Sequence, residues 1–351
     1  MRRIHIILII LGVLLGVGYL LMRPSSPSVR EQAYVSERRA TVWNRLAAVR
    51  EPAASLHYGD RVGIIESKPW SGVDYVRVLA PNGATGWLDA KQLMPAELWQ
   101  RALSNLEKSK PMPTQASGKT KVLTNLRGEP GRISPRSFQF ARDVPVEILA
   151  RAVAERPEEE SPAAQKPEEQ TGEPRAIPRQ EDWLFIRSRD ADAGDLAGWV
   201  LGRFIELDLP APLRDLAAGI RFVAWFELNR IPDAPEDLSV EEKPAAGETP
   251  IQRPMKPQYL AAGIMGGEGQ PCDFTLLRFY TWNSTRRGYE TAYIESNFCA
   301  RLPIRVTPIP PGANLEKAEA AVSFTAVGKS GDETREYRMR QNILRRLRAR
   351  K

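Results

Sequence analysis

Histidine and cysteine are scarce in this chain, and their scarcity excludes most catalytic chemistry. The 351 residues include two histidines, His5 and His57, and two cysteines, Cys272 and Cys299. His5 borders an apolar run, so His57 alone remains for histidine-dependent catalysis. A catalytic zinc needs about three protein ligands, usually with histidine among them, and a cysteine nucleophile usually needs a histidine partner. The sequence therefore predicts no enzyme, no catalytic residue, no metal site and no cofactor.

A phosphate-binding loop is also missing. The glycine-rich segment 263–269 is followed by Pro271 and Cys272, whereas a phosphate loop continues into Lys-Ser or Lys-Thr and a helix. The segment is therefore predicted to be a turn. Carboxylates are abundant in proline-rich stretches, but these offer no apolar scaffold to raise a pKa for acid-base work.

The charge balance argues against a nucleic-acid partner. The formal net charge is +7 and the sequence pI is about 9.4. Much of this excess lies in the C-terminal tail and not on a basic face, so no nucleic-acid binding is expected.

A long apolar run is present only at the N-terminus. Residues 4–21 are about long enough to cross a hydrocarbon core of roughly 30 Å, and Arg2, Arg3 and Arg23 flank them. The exit has no small-x-small cleavage site and no cysteine, which favours an uncleaved anchor over a cleaved signal peptide. The flanking charges predict a single-pass cell-membrane protein with a cytoplasmic N-terminus and an extracytoplasmic body.

Proline clusters divide the rest of the chain, which is predicted to be mainly β. Two acidic, proline-rich inserts, 155–178 and 232–257, contain few large apolar residues and are predicted to be disordered. The predicted parts are a transmembrane anchor at 1–23, a spacer at 24–32, a first domain at 33–94, a helix and linker at 95–119, a second domain at 120–209, a β-rich domain at 213–330 and a basic helix at 331–351.

The first two domains carry an internal repeat. The segments 74–93 and 182–207 each begin with an acidic and an aromatic residue. Each continues as an alternating strand and reaches a Gly-Trp pair before a closing aliphatic residue. A repeat of this kind indicates one supersecondary plan used twice, and short strands with tight turns favour a small barrel.

At these residues the chain resembles the bacterial SH3-like family. The first copy has Gly59-Asp60-Arg61-Val62, then Asp74-Tyr75-Val76-Arg77-Val78, then Gly83-Ala84-Thr85-Gly86-Trp87-Leu88 and Leu93. The second has Asn125-Leu126-Arg127-Gly128-Glu129-Pro130, Asp182-Trp183-Leu184-Phe185-Ile186 and Ala197-Gly198-Trp199-Val200, but it lacks the Gly-Asp turn and carries the 155–178 insert. The resemblance covers a little under half of the chain and implies two SH3-like β-barrels, the second degenerate.

Aromatic residues of the two copies are the candidate ligand contacts. The resemblance implies a groove for a glycan strand or a peptide, formed by Trp70, Tyr75 and Trp87 in the first copy and by Trp183 and Trp199 in the second. The alternative is that aromatic residues such as Tyr75 and Trp87 fill the barrel core.

The cysteines belong to the third domain, where strands rich in aromatic and β-branched residues are predicted. Outside the cytoplasm, Cys272 and Cys299 would form a disulfide; in the cytoplasm they would be two buried thiols. In the tail, Met339, Ile343, Leu344 and Leu347 have helical spacing among arginines. This predicts a basic amphipathic helix that lies on an anionic membrane or docks on the third domain.

The leading functional hypothesis is a membrane-anchored envelope protein whose SH3-like modules bind peptidoglycan or an envelope protein. The alternative is a structural or assembly factor in which the barrels act as spacers for the C-terminal domain. A third class, an enzyme with its site in residues 213–330, is disfavoured by the missing histidines.

Overall fold

The computed structural model describes residues 28–157, 179–233, 254–328 and 331–347. The chain divides into two compact units, an N-terminal unit that ends at Pro95 and a C-terminal unit that begins at Ala96. The described residues form three antiparallel sheets of seven strands each, so the chain is mainly β. Both proline-rich inserts lie largely outside the described residues, and the prediction of disorder falls there.

The N-terminal unit contains the first sheet. Its strands are β1 Glu31–Val35, β2 Arg39–Trp43, β3 Pro52–His57, β4 Arg61–Trp70, β5 Val73–Leu79, β6 Thr85–Asp89 and β7 Leu93–Pro95. They are paired in the order β3-β2-β6-β5-β4-β1-β7. Side chains alternate between the two faces of a strand, and the inward set, which includes Val42, Val78 and Leu88, forms the core.

The middle sheet repeats this plan. Its strands are β8 Ala116–Thr120, β9 Thr124–Arg127, β10 Arg136–Phe140, β11 Pro145–Glu155, β12 Gln180–Asp190, β13 Gly194–Leu201 and β14 Ile205–Leu207. Their order, β10-β9-β13-β12-β11-β8-β14, is that of the first sheet shifted by seven strands. The helix α1, Ala96–Ser109, precedes this sheet, and the short helix α2, Ala211–Asp215, follows it.

The glycine of each Gly-Trp pair permits a close backbone approach. A Cβ at Gly86 would lie 2.4 Å from the carbonyl oxygen of Trp43, and one at Gly198 would lie 2.7 Å from that of Arg127. Any larger residue would push β6 from β2, or β13 from β9. The glycine is therefore required at both positions because a neighbouring strand approaches closely, and not only because the backbone bends beside the indole.

The C-terminal sheet is a meander in which every strand pairs with its neighbours in sequence. Its strands are β15 Arg221–Pro232, β16 Met255–Ile264, β17 Phe274–Asn283, β18 Gly288–Thr307, β19 Ala320–Gly328, β20 Gly331–Arg340 and β21 Ile343–Arg346. One face buries an aromatic cluster that includes Phe274, Phe279 and Phe324. The other face packs on the segment around α2 through Leu213 and Phe222.

The predicted basic helix at 331–351 is wrong, because the tail forms the hairpin β20–β21. Tyr337 and Met339 are buried while Arg338 and Arg340 are exposed, which is the two-residue period of a strand. The pairing of β20 with β19 along its length holds Tyr337 and Met339 in the aromatic core. Long-range pairing therefore overrides the helical spacing of the apolar residues.

The predicted transmembrane anchor, residues 1–23 with its apolar run at 4–21, lies outside the described residues. Within the described ranges the longest helix is the 14-residue Ala96–Ser109, and no helix is long and apolar enough to cross a membrane. Crossing needs about 20 apolar residues. This finding contradicts the predicted single-pass topology and the predicted cell-membrane localisation.

The middle and C-terminal sheets are joined by a buried glutamine within the C-terminal unit. The Gln115 side chain accepts from the Ile304 amide at 2.7 Å and donates to the Ile304 carbonyl at 3.2 Å. The main-chain carbonyl of Gln115 accepts a hydrogen bond from the main-chain amide of Trp225 at 2.9 Å. Gln115 is fully buried, so these bonds are shielded from water and hold the two sheets together.

A buried arginine makes the second connection. Arg151 on β11 donates to the carboxylates of Asp182 and Asp273 and to the carbonyl oxygens of Gln270 and Cys272. These carbonyls belong to the connection between β16 and β17, directly after the glycine-rich segment 263–269 that was predicted to be a turn and whose first two residues end β16. That connection therefore docks the C-terminal sheet on the middle sheet.

The disulfide fixes this connection. Cys272 and Cys299 are bonded, with their Cα atoms 5.2 Å apart, so the predicted pairing is confirmed. The bond ties the end of the glycine-rich connection to strand β18.

Candidate functional site

The strongest candidate for a ligand site is the exterior of the N-terminal sheet. Trp43 on β2 is paired with Trp87 on β6, and Trp87 is paired with Arg77 on β5. Directly paired residues share one face of a sheet. Since their neighbours Val42, Leu88 and Val78 point into the core, the two indoles and Arg77 lie on the opposite, outward face.

Two more aromatic residues extend this row. Tyr75 lies two positions before Arg77 on β5, so it shares the outward face. The rings of Trp70 and Tyr75 meet edge to face with centroids 5.9 Å apart. Trp43, Trp70, Tyr75 and Trp87 are all half-buried. We call the set Trp43, Trp70, Tyr75, Arg77 and Trp87, with Arg50, the outer aromatic face.

Arg50 gives this face a cation beside an indole. Its guanidinium carbon lies 4.3 Å from the centroid of the Trp43 ring, a cation–π geometry. Its Nη1 atom is buried and has no hydrogen-bond partner among the described residues. A guanidinium donor of this kind suits a carboxylate of an incoming ligand.

Arg77 is the second cation of the face. Its Nη1 lies 3.3 Å from Oε1 of Glu66, and both side chains are about half exposed. An exposed pair of this kind contributes little to stability. The pair can therefore open to meet a ligand at small cost.

The equivalent face of the middle sheet has apolar neighbours from outside the sheet. Trp199 is paired with Arg127 and with Phe185, as Trp87 is paired with Trp43 and Arg77. There Leu106 of α1, Met112 and Trp199 all pack against a buried cluster that contains Phe185. The described part of the N-terminal unit contains no α-helix, so within that unit no helix covers the outer aromatic face.

The predicted aromatic residues thus have different surroundings. Trp70, Tyr75 and Trp87 lie together on an outward face and do not fill the core. Trp183 is 2% exposed, so it fills the core, and Trp199 is half-buried in a cluster with Phe185, Leu106 and Met112. Trp43 and Arg50 were missed by the sequence reasoning, although the alternation in β2 and the pairing implied by the repeat could have placed Trp43 beside Trp87.

Within each unit, the described reactive residues do not form a cluster. Both cysteines are in the disulfide, and His57 is exposed, with Nδ1 3.9 Å from Oδ2 of Asp60. Within the described ranges, no three His, Cys, Asp or Glu side chains are arranged to hold a metal ion.

Comparison with known proteins gives no family. No protein-family model matches the chain, and no curated protein matches it. Matching solved structures include NlpC2 and NlpC1 from Trichomonas vaginalis, each 10% identical with a TM-score of 0.16. The matches cover 52% of this chain and 49% and 47% of the two structures, so the chain spans about half of their length.

A third match is a protein assigned as an autolysin from Listeria monocytogenes. It is 10% identical, with 72% of this chain and 93% of that chain covered and a TM-score of 0.16. At such TM-scores none of these likenesses carries an argument about fold or function.

Proposed function

We propose that this chain is a cell-envelope binding protein that holds peptidoglycan on its outer aromatic face. The observation that carries the proposal is the Trp43–Trp87 pair, two adjacent indoles on an outward face. In the middle sheet the equivalent of Trp43 is Arg127, and Trp199 lies in a cluster with Phe185, Leu106 of α1 and Met112. The resemblance of the first copy to the SH3-like family supports the same assignment.

The chemistry of the face suits this ligand. Sugar rings present apolar C–H faces that pack on aromatic rings, and half-buried aromatic residues with a few polar groups are typical of ligand sites. Peptidoglycan also carries short peptides with carboxylates. Arg50, with an unpartnered Nη1, and Arg77 are placed to bind such carboxylates.

The disulfide supports an envelope location, because disulfides persist in oxidising compartments outside the cytoplasm. Both cysteines of the chain are used in it. We further propose that the chain acts by binding and not by catalysis. The use of both cysteines in the disulfide and the exposed position of His57 beside Asp60 support this part of the proposal.

A structural role is favoured for the middle sheet. Its aromatic face is packed against α1, and Gln115 and Arg151 bind it to the C-terminal sheet. In this proposal the first copy binds the ligand, and the second acts as a rigid support for the C-terminal sheet.

Substitution of the central indole is expected to weaken peptidoglycan binding. The intact chain should co-sediment with purified peptidoglycan, and Trp87→Ala should raise the apparent Kd about tenfold or more, because central aromatic contacts often contribute 2 kcal/mol or more. Trp43→Ala should act in the same direction, and Arg50→Ala should have a smaller effect.

The matched control is Ile133→Ala, which removes a large apolar side chain that is 86% exposed in the other unit. It should leave co-sedimentation unchanged. Failure of the intact chain to co-sediment would contradict the proposal, as would an equal loss in the Ile133 and Trp87 variants. Circular dichroism of each variant checks that the fold is retained.

A further inference from the structure

The C-terminal unit contains a cleft where the middle and C-terminal sheets meet. Its volume is about 530 Å³, within the range of small-molecule sites, roughly 300–1,000 Å³. Most of its wall is aliphatic or aromatic, contributed by Ile148, Leu184, Ile205, Leu207, Leu209, Ala217, Ile220, Phe222, Val223 and Leu302. The wall suits an apolar ligand about the size of a medium-length acyl chain.

The cleft also contains buried guanidinium groups with unused donors. The Arg151 side chain is 1% exposed and lines the cleft. Its two terminal nitrogens bind acceptors of the sheet interface, but its Nε has no partner among the described residues. The Nε atoms of Arg203 and Arg221, which also line the cleft, are likewise buried and unpartnered in the described part of the chain.

The rim adds two positive charges. Lys121 and Arg214 line the cleft and are exposed. Among the described residues neither has a carboxylate within ion-pair distance. Both charges are therefore available to a ligand that enters the cleft.

The carboxylates of the cleft are already engaged. Asp182 accepts from Arg151 and Arg221, and Glu268 accepts from Arg203 at 3.0 Å. Glu206 faces Lys119 outside the cleft at 3.9 Å. Five cationic side chains line the cleft against three acidic ones, and Arg151 and Arg203 also bind Asp273 and Glu181, so the uncompensated positive charge lies at the rim with Lys121 and Arg214.

We propose that this cleft binds a small amphiphile with one aliphatic chain and an anionic head, either a carboxylate or a phosphate. The chain packs on the apolar wall, where burial of each CH₂ group is favourable. The head meets the rim cations and the unused guanidinium donors, since charge-assisted bonds from arginine to carboxylate or phosphate are the strong ones. This site shares no residue with the outer aromatic face and serves a different ligand.

The test is titration calorimetry on the full chain with soluble probes below their micelle concentrations. Dodecanoate and dodecyl phosphate should each bind saturably at one site, and comparing them distinguishes a carboxylate from a phosphate head. Dodecyltrimethylammonium has the same chain and the opposite charge, and it should not bind. Acetate and inorganic phosphate lack the chain and should not bind either.

Charge reversal on the rim is expected to weaken binding of the anionic probes about tenfold or more, a change of about 1.4 kcal/mol per factor of ten. The variants are Lys121→Glu and Arg214→Glu, both at exposed positions where folding should be unaffected. The matched control is Arg189→Glu, whose side chain is 86% exposed elsewhere on the same unit.

Two results would overturn the proposal. The first is equal binding of the cationic and anionic probes, which would indicate unspecific apolar contact. The second is unchanged binding of the anionic probes in both rim variants. Neither outcome bears on peptidoglycan binding, which depends on Trp43 and Trp87 in the other unit.

Discussion

Replacement of Arg151 by methionine is expected to lower the free energy of unfolding of the C-terminal unit by about 3–5 kcal/mol, because removal of one partner leaves buried charges uncompensated. Asp182 and Asp273 are 3% and 6% exposed in their side chains, and Arg151 binds both. Methionine keeps roughly the apolar volume of the aliphatic part of the arginine side chain. The loss of unfolding free energy therefore reports mainly on the missing charge and hydrogen bonds.

The pKa directions of the two carboxyls predict how this loss depends on pH. Burial raises the pKa of Asp182, but the hydrogen bond and charge of Arg151, with Arg221, outweigh it and hold this pKa below its ordinary value. Burial raises the pKa of Asp273 above its ordinary value, against the opposing effects of the Leu302 amide and Arg151.

Because the pKa of Asp182 is lower in the folded chain, its contribution is present above the unfolded pKa of about 3.9 and lost as pH falls through the folded value. The raised pKa of Asp273 has the opposite sign and favours folding when that group is protonated. The penalty of Arg151→Met should therefore be largest where both carboxylates are charged, and it should shrink as the pH falls first through the raised pKa of Asp273 and then through the lowered pKa of Asp182.

Hydrogen exchange of amides in β12 and β17 measures this effect, since both strands belong to the affected unit. The matched control is Arg189→Met, which removes an exposed arginine 3.7 Å from Asp195 and should change stability by less than about 0.5 kcal/mol. Equal protection in the Arg151 variant and the parent at neutral pH would contradict the account.

Loss of the disulfide is expected to cost about 3.5 kcal/mol, the chain-entropy value for a loop of this length. Cys272 and Cys299 are 27 positions apart. The loop contains strand β17 and ends at the connection whose carbonyls bind Arg151. The variant Cys272→Ser with Cys299→Ser should therefore expose the sheet interface as well as the loop.

Urea unfolding with and without reductant tests this expectation. Reductant should destabilise the parent chain by a similar amount and leave the double serine variant unchanged. The parent unfolding at the same urea concentration in both conditions would contradict a structural disulfide. Combined with Arg151→Met, the serine variant should lose less than the sum of the two separate losses, because the sites share one interface.

Local patterns in the sequence predicted the repeated strands but could not decide which face was buried. Tyr75 and Arg77 alternate with Val76 and Val78, so the sequence divides β5 into two faces. The aromatic residues were open to two readings, core or groove. In the structure Val76 and Val78 face the core. The charged Arg77, on the same side of β5 as Tyr75, was the feature of the sequence that indicates an outward aromatic face.

Tertiary contacts account for what the sequence could not predict. The tail has apolar residues at helical spacing, but strand β19 pairs with residues 331–339 and forces a two-residue period. Leu106 of α1 and Met112 join Trp199 in the cluster around Phe185. Their packing depends on the path of the chain between α1 and β8, which no local pattern specifies. The ion network of Arg151 and Asp273 joins positions 122 residues apart, which no local motif records.

The assignment of the ligand face is tested most directly by the indole N–H resonances of the eight tryptophans, each identified by a Trp→Phe variant. On addition of soluble peptidoglycan fragments, the signals of Trp43 and Trp87 should shift, with that of Trp70 following. Those of the five tryptophans in the C-terminal unit, Trp99, Trp183, Trp199, Trp225 and Trp282, should stay in place. Shifts confined to the second group, or no shift at all, would contradict the outer aromatic face as the binding site.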